Sequence, residues 1–155
     1  FGLNILEPNE VETAVIAGVG ANTISEIIAD NKKITDSITE FVLQPMNHTA
    51  RLRQWLINNC FQIIDEGLVK EGNRFYEIIL IQAGSQEVSD AFLLEIGPRL
   101  LEKKPRDYQE FLTAKQKKWQ EILNQLPANQ AFHLTAKRKK LKRRLEKIQE
   151  VMECL

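Results

Sequence analysis

Two spacings of apolar residues divide this chain. Up to about residue 98, short continuous apolar runs alternate with stretches in which apolar residues recur every three or four positions, whereas beyond it only the second spacing persists. Thr13 to Ala17 is apolar and β-branched without polar alternation, which predicts a strand buried on both faces of a parallel sheet. It ends in Gly18-Val19-Gly20. Asn22 and Thr23 then stand as N-cap candidates before a helix with Ile24, Ile27 and Ile28 on one face. Phe41 to Gln44 repeats the scheme: a strand stops at Pro45, a polar loop Met46-Asn47-His48-Thr49 follows, and a helix runs through Leu52, Trp55 and Leu56. Cys60 to Val69 and Phe75 to Ala83 are two further apolar runs. Gly72-Asn73 between them favours a tight hairpin, so the sheet finishes with an antiparallel pair.

The last third follows a different rule. A helix beginning near Ser89 should break at Gly97-Pro98, and Pro105 should start another. In that helix Tyr108, Leu112, Lys115, Trp119, Ile122 and Leu126 keep heptad spacing with one polar interruption. Pro127 to Gln130 is the expected turn. Leu134, Leu141, Leu145, Ile148, Met152 and Leu155 continue the seam on a second helix, with Arg138 at the position that would complete it. Two helices of similar length and a short connection predict an antiparallel coiled-coil hairpin. The expected division is therefore residues 1 to 98 as an α/β domain and residues 99 to 155 as a helical arm.

Charge sharpens that division. The formal net charge is zero, yet residues 1 to 98 carry 6 Lys and Arg against 14 Asp and Glu, and residues 99 to 155 carry 15 against 7. Seven of the eight positions from Lys137 to Arg144 are basic, and Lys115, Lys117 and Lys118 add to them from the first helix. So dense a cluster exceeds what solubility requires and predicts salt-dependent, largely sequence-independent phosphate contact. Lys115, Lys118, Lys137, Arg138, Lys139, Lys140, Lys142, Arg143 and Arg144 are the candidate RNA-contacting residues. Cys60 and Cys154 have no partner at metal-ligand spacing, and neither His48 nor His133 has a second ligand beside it, so no metal site and no disulfide are expected. With no long apolar run and no signal-peptide pattern, the expected location is cytoplasmic.

In open α/β sheets ligands bind beyond the carboxyl ends of the strands, which points to the turns at Gly18 to Ala21 and Gln44 to His48. Parallel units closed by an antiparallel hairpin mark the second half of a class I methyltransferase (Rossmann-like) sheet. The residues Ala14-Val15-Ile16-Ala17-Gly18-Val19-Gly20, Leu43-Gln44-Pro45 with Leu52-Arg53-Gln54-Trp55-Leu56, and Phe75-Tyr76-Glu77-Ile78 resemble, in order and spacing, the bacterial tRNA (adenine(22)-N(1))-methyltransferase family. That resemblance implies an S-adenosyl-L-methionine-dependent enzyme acting on N1 of a tRNA adenine. Gly18, Val19 and Gly20, with Gly2 and Leu3 from a second matching segment, would meet the cofactor. Gln44 or Asn47 would offer an amide to the base. Trp55 and Phe75 are expected in the core.

The family's glycine-rich loop after its first strand and its ribose-binding acidic residue have no counterpart. Ala21 stands where the family has a glycine, Met46 where it has the Asn of LQPN, and Phe1 where it has an Asp. The expectation is the C-terminal part of a longer enzyme, since Thr13 to Ala17 is too apolar for an open sheet edge, which would otherwise invite self-association. The alternative is a non-catalytic RNA-binding module on a degenerate methyltransferase-like body.

Overall fold

The computed structural model describes residues 2–127 and 132–155. Phe1 and most of the expected turn, Ala128 to Gln130, lie outside the described residues. Two compact units make up the chain, Phe1–Pro105 and Arg106–Leu155. The sequence divides at Gly97-Pro98 instead, for a reason given below.

The first unit is an α/β unit with a mixed four-stranded sheet. A 3-10 turn over Gly2–Ile5 precedes β1 (Thr13–Val19), α1 (Ala21–Asp30), the short α2 (Lys32–Thr35), β2 (Glu40–Pro45), α3 (Thr49–Asn58), β3 (Phe61–Glu71), β4 (Arg74–Ala83), α4 (Leu93–Ile96) and α5 (Pro98–Lys103). The sheet order is β1-β2-β4-β3, with β1 parallel to β2 and β4 antiparallel to both its neighbours. The expected hairpin forms: Glu71 pairs with Arg74, leaving a two-residue turn in which Gly72 takes a positive φ of 58°.

Register explains the core. Ala14, Phe41, Ile81 and Ile63 sit side by side across all four strands, and all are buried. One row further, Ile16, Leu43 and Ile79 are buried beside Glu66. Ile24 and Ile28 of α1 and Leu52 and Leu56 of α3 cover this face, following the helical period that predicted them. Phe41 meets Phe61 edge-on, with ring centroids 6.2 Å apart.

Three local expectations need correction. First, β1 is buried on one face only. Its exposure alternates, and Val15 is 70% exposed, because among the described residues no element packs on that side of the strand. Second, α1 begins at Ala21, ahead of Asn22 and Thr23. Gly20, in extended conformation, occupies the cap position, and its carbonyl accepts from the Ile24 N–H at 3.0 Å. Third, the helix that breaks at Gly97-Pro98 ends as expected, at Ile96, but it begins at Leu93 and not near Ser89, and Pro98 itself starts another helix. Proline at the first helical position lacks an N–H that would have had no partner there, and Gly97 (φ 81°) turns the chain into it. That helix, α5, buries Leu100 and belongs to the first unit, which is why the division falls at Pro105. The next helix then begins at Tyr108.

Three charged residues that the apolar reading missed, Arg53, Glu66 and Glu77, form a buried polar cluster. Arg53 on α3 is fully buried. Its Nε donates to Glu66 Oε1 at 2.6 Å, its Nη2 to Glu77 Oε2 at 2.6 Å, and its Nη1 to the Leu94 carbonyl at 2.8 Å. Burial alone would pull the Arg53 pKa down, but the carboxylates of Glu77 and Glu66 outweigh it and hold it above its ordinary value. Glu66 reaches this position because a bulge between Ile63 and Asp65 inserts Ile64 and shifts the alternation of β3. Its second oxygen accepts from the Arg99 N–H at 2.8 Å. A β-carbon at Gly97 would lie 3.0 Å from Arg53 Nη2, so the chain needs glycine there for space as well as for its φ.

The second unit consists of α6 (Tyr108–Gln125) and α7 (Phe132–Glu153). Gln116 Nε2 donates to Gln149 Oε1 at 2.9 Å, and Arg138 Nη2 to the Pro127 carbonyl at 2.8 Å, so the two helices run antiparallel. Tyr108, Leu112 and Trp119 of the predicted seam are buried, as are Leu141 and Ile148 opposite. Leu155, expected in the seam, lies beyond the end of α7 and is 41% exposed.

Candidate functional site

The carboxyl ends of the parallel strands β1 and β2 lie side by side, and a single side chain ties their turns together. Ala17 pairs with Gln44 and Val19 with Pro45, which leaves Gly18 as the extra residue of a bulge. Its N–H therefore has no place in the ladder. Gln44 supplies one: its Oε1 accepts from Gly18 N at 3.0 Å, while its Nε2 donates to the Pro45 carbonyl at 3.2 Å. Gly18 itself has φ 75°, a left-handed conformation that glycine adopts without strain, and a β-carbon there would meet nothing within 4 Å. The turn is thus open on its outer side and braced from beneath.

Asn47 behaves differently from Gln44. Its side chain makes no hydrogen bond among the described residues and lies over Gly20, where a β-carbon would come within 3.3 Å of its Oδ1. The glycine at position 20 makes room for that amide. His48 adopts a left-handed conformation (φ 51°) at the start of α3 and is exposed. One sharp corner therefore presents Asn47 and His48 beside the Gly18–Gly20 turn.

The other predicted site residues are placed elsewhere. Gly2 packs on Ile27, 3.2 Å from where its β-carbon would be, and Leu3 enters the core. Asn4 beside them bonds with Asp30 and Asn31 at the end of α1, so this segment attaches to the middle and far end of α1 while the glycine turn caps its start. Trp55, expected in the core, is half-buried: it stacks on Phe61 with centroids 6.5 Å apart and lines an open cleft. Phe75 is likewise half-buried.

On the helical unit, Lys118, Lys137, Lys139, Lys140, Lys142 and Arg143 are exposed. Three of the nominated cations make contacts within the unit. Arg138 donates to the Leu126 and Pro127 carbonyls at the end of α6, the Arg144 guanidinium lies 5.5 Å over the Trp119 ring, and the Lys115 ammonium lies 4.7 Å over Phe111. Among the described residues there is no group of three His, Cys, Asp or Glu side chains placed to hold a metal, and no helix is long and apolar enough to cross a membrane.

Comparison with known proteins identifies the family. A sequence model of the family described as tRNA (adenine(22)-N(1))-methyltransferase matches residues 1–150. The Bacillus subtilis (strain 168) protein of that description is 28% identical over 160 residues, covering 98% of this chain and 66% of that protein. The crystal structure of the B. subtilis M1A22 tRNA methyltransferase superposes with a TM-score of 0.81 at 28% identity, over 97% of this chain and 67% of that one. Streptococcus pneumoniae Sp1610 in complex with S-adenosyl-L-methionine gives a TM-score of 0.82 at 26% identity, over 98% of this chain and 65% of that one. The chain thus spans about two thirds of the length of these relatives. A match that runs across both compact units, with a shared Rossmann-like methyltransferase fold, makes this chain a member of the tRNA (adenine(22)-N(1))-methyltransferase family.

Proposed function

We propose that this chain carries the base-positioning and RNA-gripping part of an S-adenosyl-L-methionine-dependent methyltransferase that acts on N1 of an adenine in tRNA. The observation that carries the reading is the braced corner: Gln44 holds the Gly18 bulge open while Asn47 keeps a free amide over Gly20. The relative Sp1610 binds S-adenosyl-L-methionine. The open, left-handed Gly18 fits such a group, because backbone can approach it closely there, and Gly18, Val19 and Gly20 would form one wall around it. The cofactor supplies an electrophilic methyl on a sulfonium.

The chain's own residues then need to do little covalent chemistry. Adenine N1 attacks with its own lone pair and carries no proton, so the transfer is an in-line displacement that depends on orientation and exclusion of water. Asn47 suits the base edge, since an amide donates and accepts at once. Gln44 is a positioning residue, because both ends of its amide are already engaged with backbone. Gly2 and Leu3 are retained as a cofactor wall only through the family resemblance.

The sheet corresponds in this proposal to the second half of the class I sheet, with β1 facing a further strand. The place of β1 at the end of the strand order, paired with β2 alone, supports that reading and also offers an edge for self-association. The helical pair serves as an antiparallel coiled-coil arm. Its exposed cations Lys118, Lys137, Lys139, Lys140, Lys142 and Arg143 grip phosphates, and Lys115, Arg138 and Arg144 contribute charge from fixed positions. A cytoplasmic tRNA substrate fits this arm.

The test uses the protein encoded by the whole gene. Calorimetry should show S-adenosyl-L-methionine binding, and incubation with tRNA should yield 1-methyladenosine on nuclease digestion and mass spectrometry. Absence of any cofactor affinity would overturn the enzymatic reading and leave an RNA-binding module.

A further inference from the structure

Between the first turns of α1 and α3 lies a cleft of about 230 Å³ that begins at Ala21, next to the glycine turn. Asn22, Ser25 and Glu26 line it from α1, and Arg51, Leu52 and Trp55 from α3. It is smaller than the roughly 300–1,000 Å³ typical of sites that enclose a drug-sized ligand. Its size suits a single flat ring with a short polar extension.

The lining has the chemistry of a nucleotide site. Trp55 is half-buried and backed by Phe61 in a stacked arrangement with an interplanar angle of 22°, which supports its ring at the cleft. Its indole N–H has no acceptor among the described residues. Arg51 and Glu26 carry opposite charges into the same cleft, yet neither forms an ion pair among the described residues. A bare phosphate would be repelled by Glu26, and a plain apolar ligand would use neither charge. A nucleotide answers each group, with phosphate for Arg51, a ring face for Trp55, and donors on the base edge for Glu26.

We propose that this cleft is a subsite for one nucleotide of an RNA strand, stacked on Trp55 with its phosphate on Arg51 and its amino-bearing edge toward Glu26. The proposal rests on the tRNA-acting reading above and extends it: Arg51 and Trp55 stand one and two helical turns beyond Asn47, so a nucleotide flanking the target would reach them. Guanine, which presents N–H and amino donors together, suits Glu26 best.

The test is made on the 155-residue chain carrying Trp119→Phe, in which Trp55 is the remaining tryptophan. GMP should shorten the Trp55 fluorescence lifetime on titration. Arg51→Ala should raise the GMP dissociation constant about tenfold, and Glu26→Gln should weaken GMP while leaving UMP nearly unchanged. Saturating tRNA, with binding followed independently by anisotropy, should shorten the same lifetime in an Arg51-dependent way. If tRNA binds and the Trp55 lifetime does not move, or moves equally in Arg51→Ala, the subsite is overturned and the tRNA-acting reading survives. If GMP acts through Arg51 while tRNA fails to bind, the subsite stands and that reading falls. No response to either ligand overturns the subsite. Arg51 is exposed on α3, so circular dichroism of Arg51→Ala should match the parent.

Discussion

Replacing Arg53 with Met should be a severely destabilising single change. Met fills a similar apolar length but leaves Glu66 and Glu77 buried without their cation, and the Leu94 carbonyl without its donor. Three hydrogen bonds from a charged group, at about 1.5–3 kcal/mol each, set a ceiling of about 9 kcal/mol. Relief from burying the guanidinium subtracts from that, which brings the expected loss to about 3–5 kcal/mol, the usual cost of removing one member of a buried ion pair. Against a total domain stability of about 5–15 kcal/mol, this is a large fraction. With a urea m-value of about 1–3 kcal/mol/M, the midpoint should fall by roughly 2 M. Urea titration followed by circular dichroism at pH 7 measures it. Adding Glu66→Gln and Glu77→Met to Arg53→Met should recover at least half the loss, because the uncompensated charges go with them. A single variant within 1 kcal/mol of the parent would refute the argument that this cluster depends on mutual compensation.

Three further outcomes follow from the geometry. Gln44→Ala should leave the urea midpoint nearly unchanged, since the Gly18 N–H it releases can reach water, yet slow methyl transfer by about tenfold through loss of turn geometry; an unaltered rate would remove Gln44 from the mechanism. Reversing Lys137, Lys139, Lys140 and Arg143 to Glu should abolish tRNA binding in gel-shift assays while helicity persists, because all four are exposed, whereas including Arg144 would also disturb its contact with Trp119. The hydrogen bond from Lys103 holds the Asp65 pKa below its ordinary value, so this pair contributes stability above the unfolded pKa of about 3.9 and loses it as pH falls below that. Lys103→Met should accordingly flatten the fall of the urea midpoint at acid pH, and an unchanged acid limb would show that the pair contributes nothing.

What the sequence shows and what it conceals divide along physical lines. Strand and helix order, the Gly72-Asn73 hairpin and the seam through Trp119 and Leu141 all follow from local periodicity, which the fold obeys. Val15 misleads because a continuous apolar run reports the environment for which a strand is suited, while its exposure depends on what packs on its other face. Pro98 is ambiguous by nature, since the same missing N–H that stops one helix is harmless at the start of another. For Gln44 the sequence leaves a base contact and a bond to loop backbone equally open, and the bulge at Gly18 engages its amide with backbone. The Arg53 cluster left one legible sign, the single charge of Glu77 inside the apolar run from Phe75 to Ile81. The convergence of Arg53, Glu66 and Glu77 depends on pairing across the sheet and on the bulge at Ile64, which no local pattern encodes.

The α5 helix also decides where this chain can be cut. Arg99 donates its N–H to Glu66 and its side chain to the Ile63 carbonyl, and Lys103 reaches Asp65 and the Glu66 carbonyl. A fragment ending at the Gly97-Pro98 step would remove those partners from β3 and leave a carboxylate oxygen of the buried cluster unmet. Protease treatment under native conditions should therefore spare Pro98–Lys103 and, if it separates the two units at all, nick between Lys104 and Asp107. A dissected α/β half should keep its cooperativity only when it carries α5 with it.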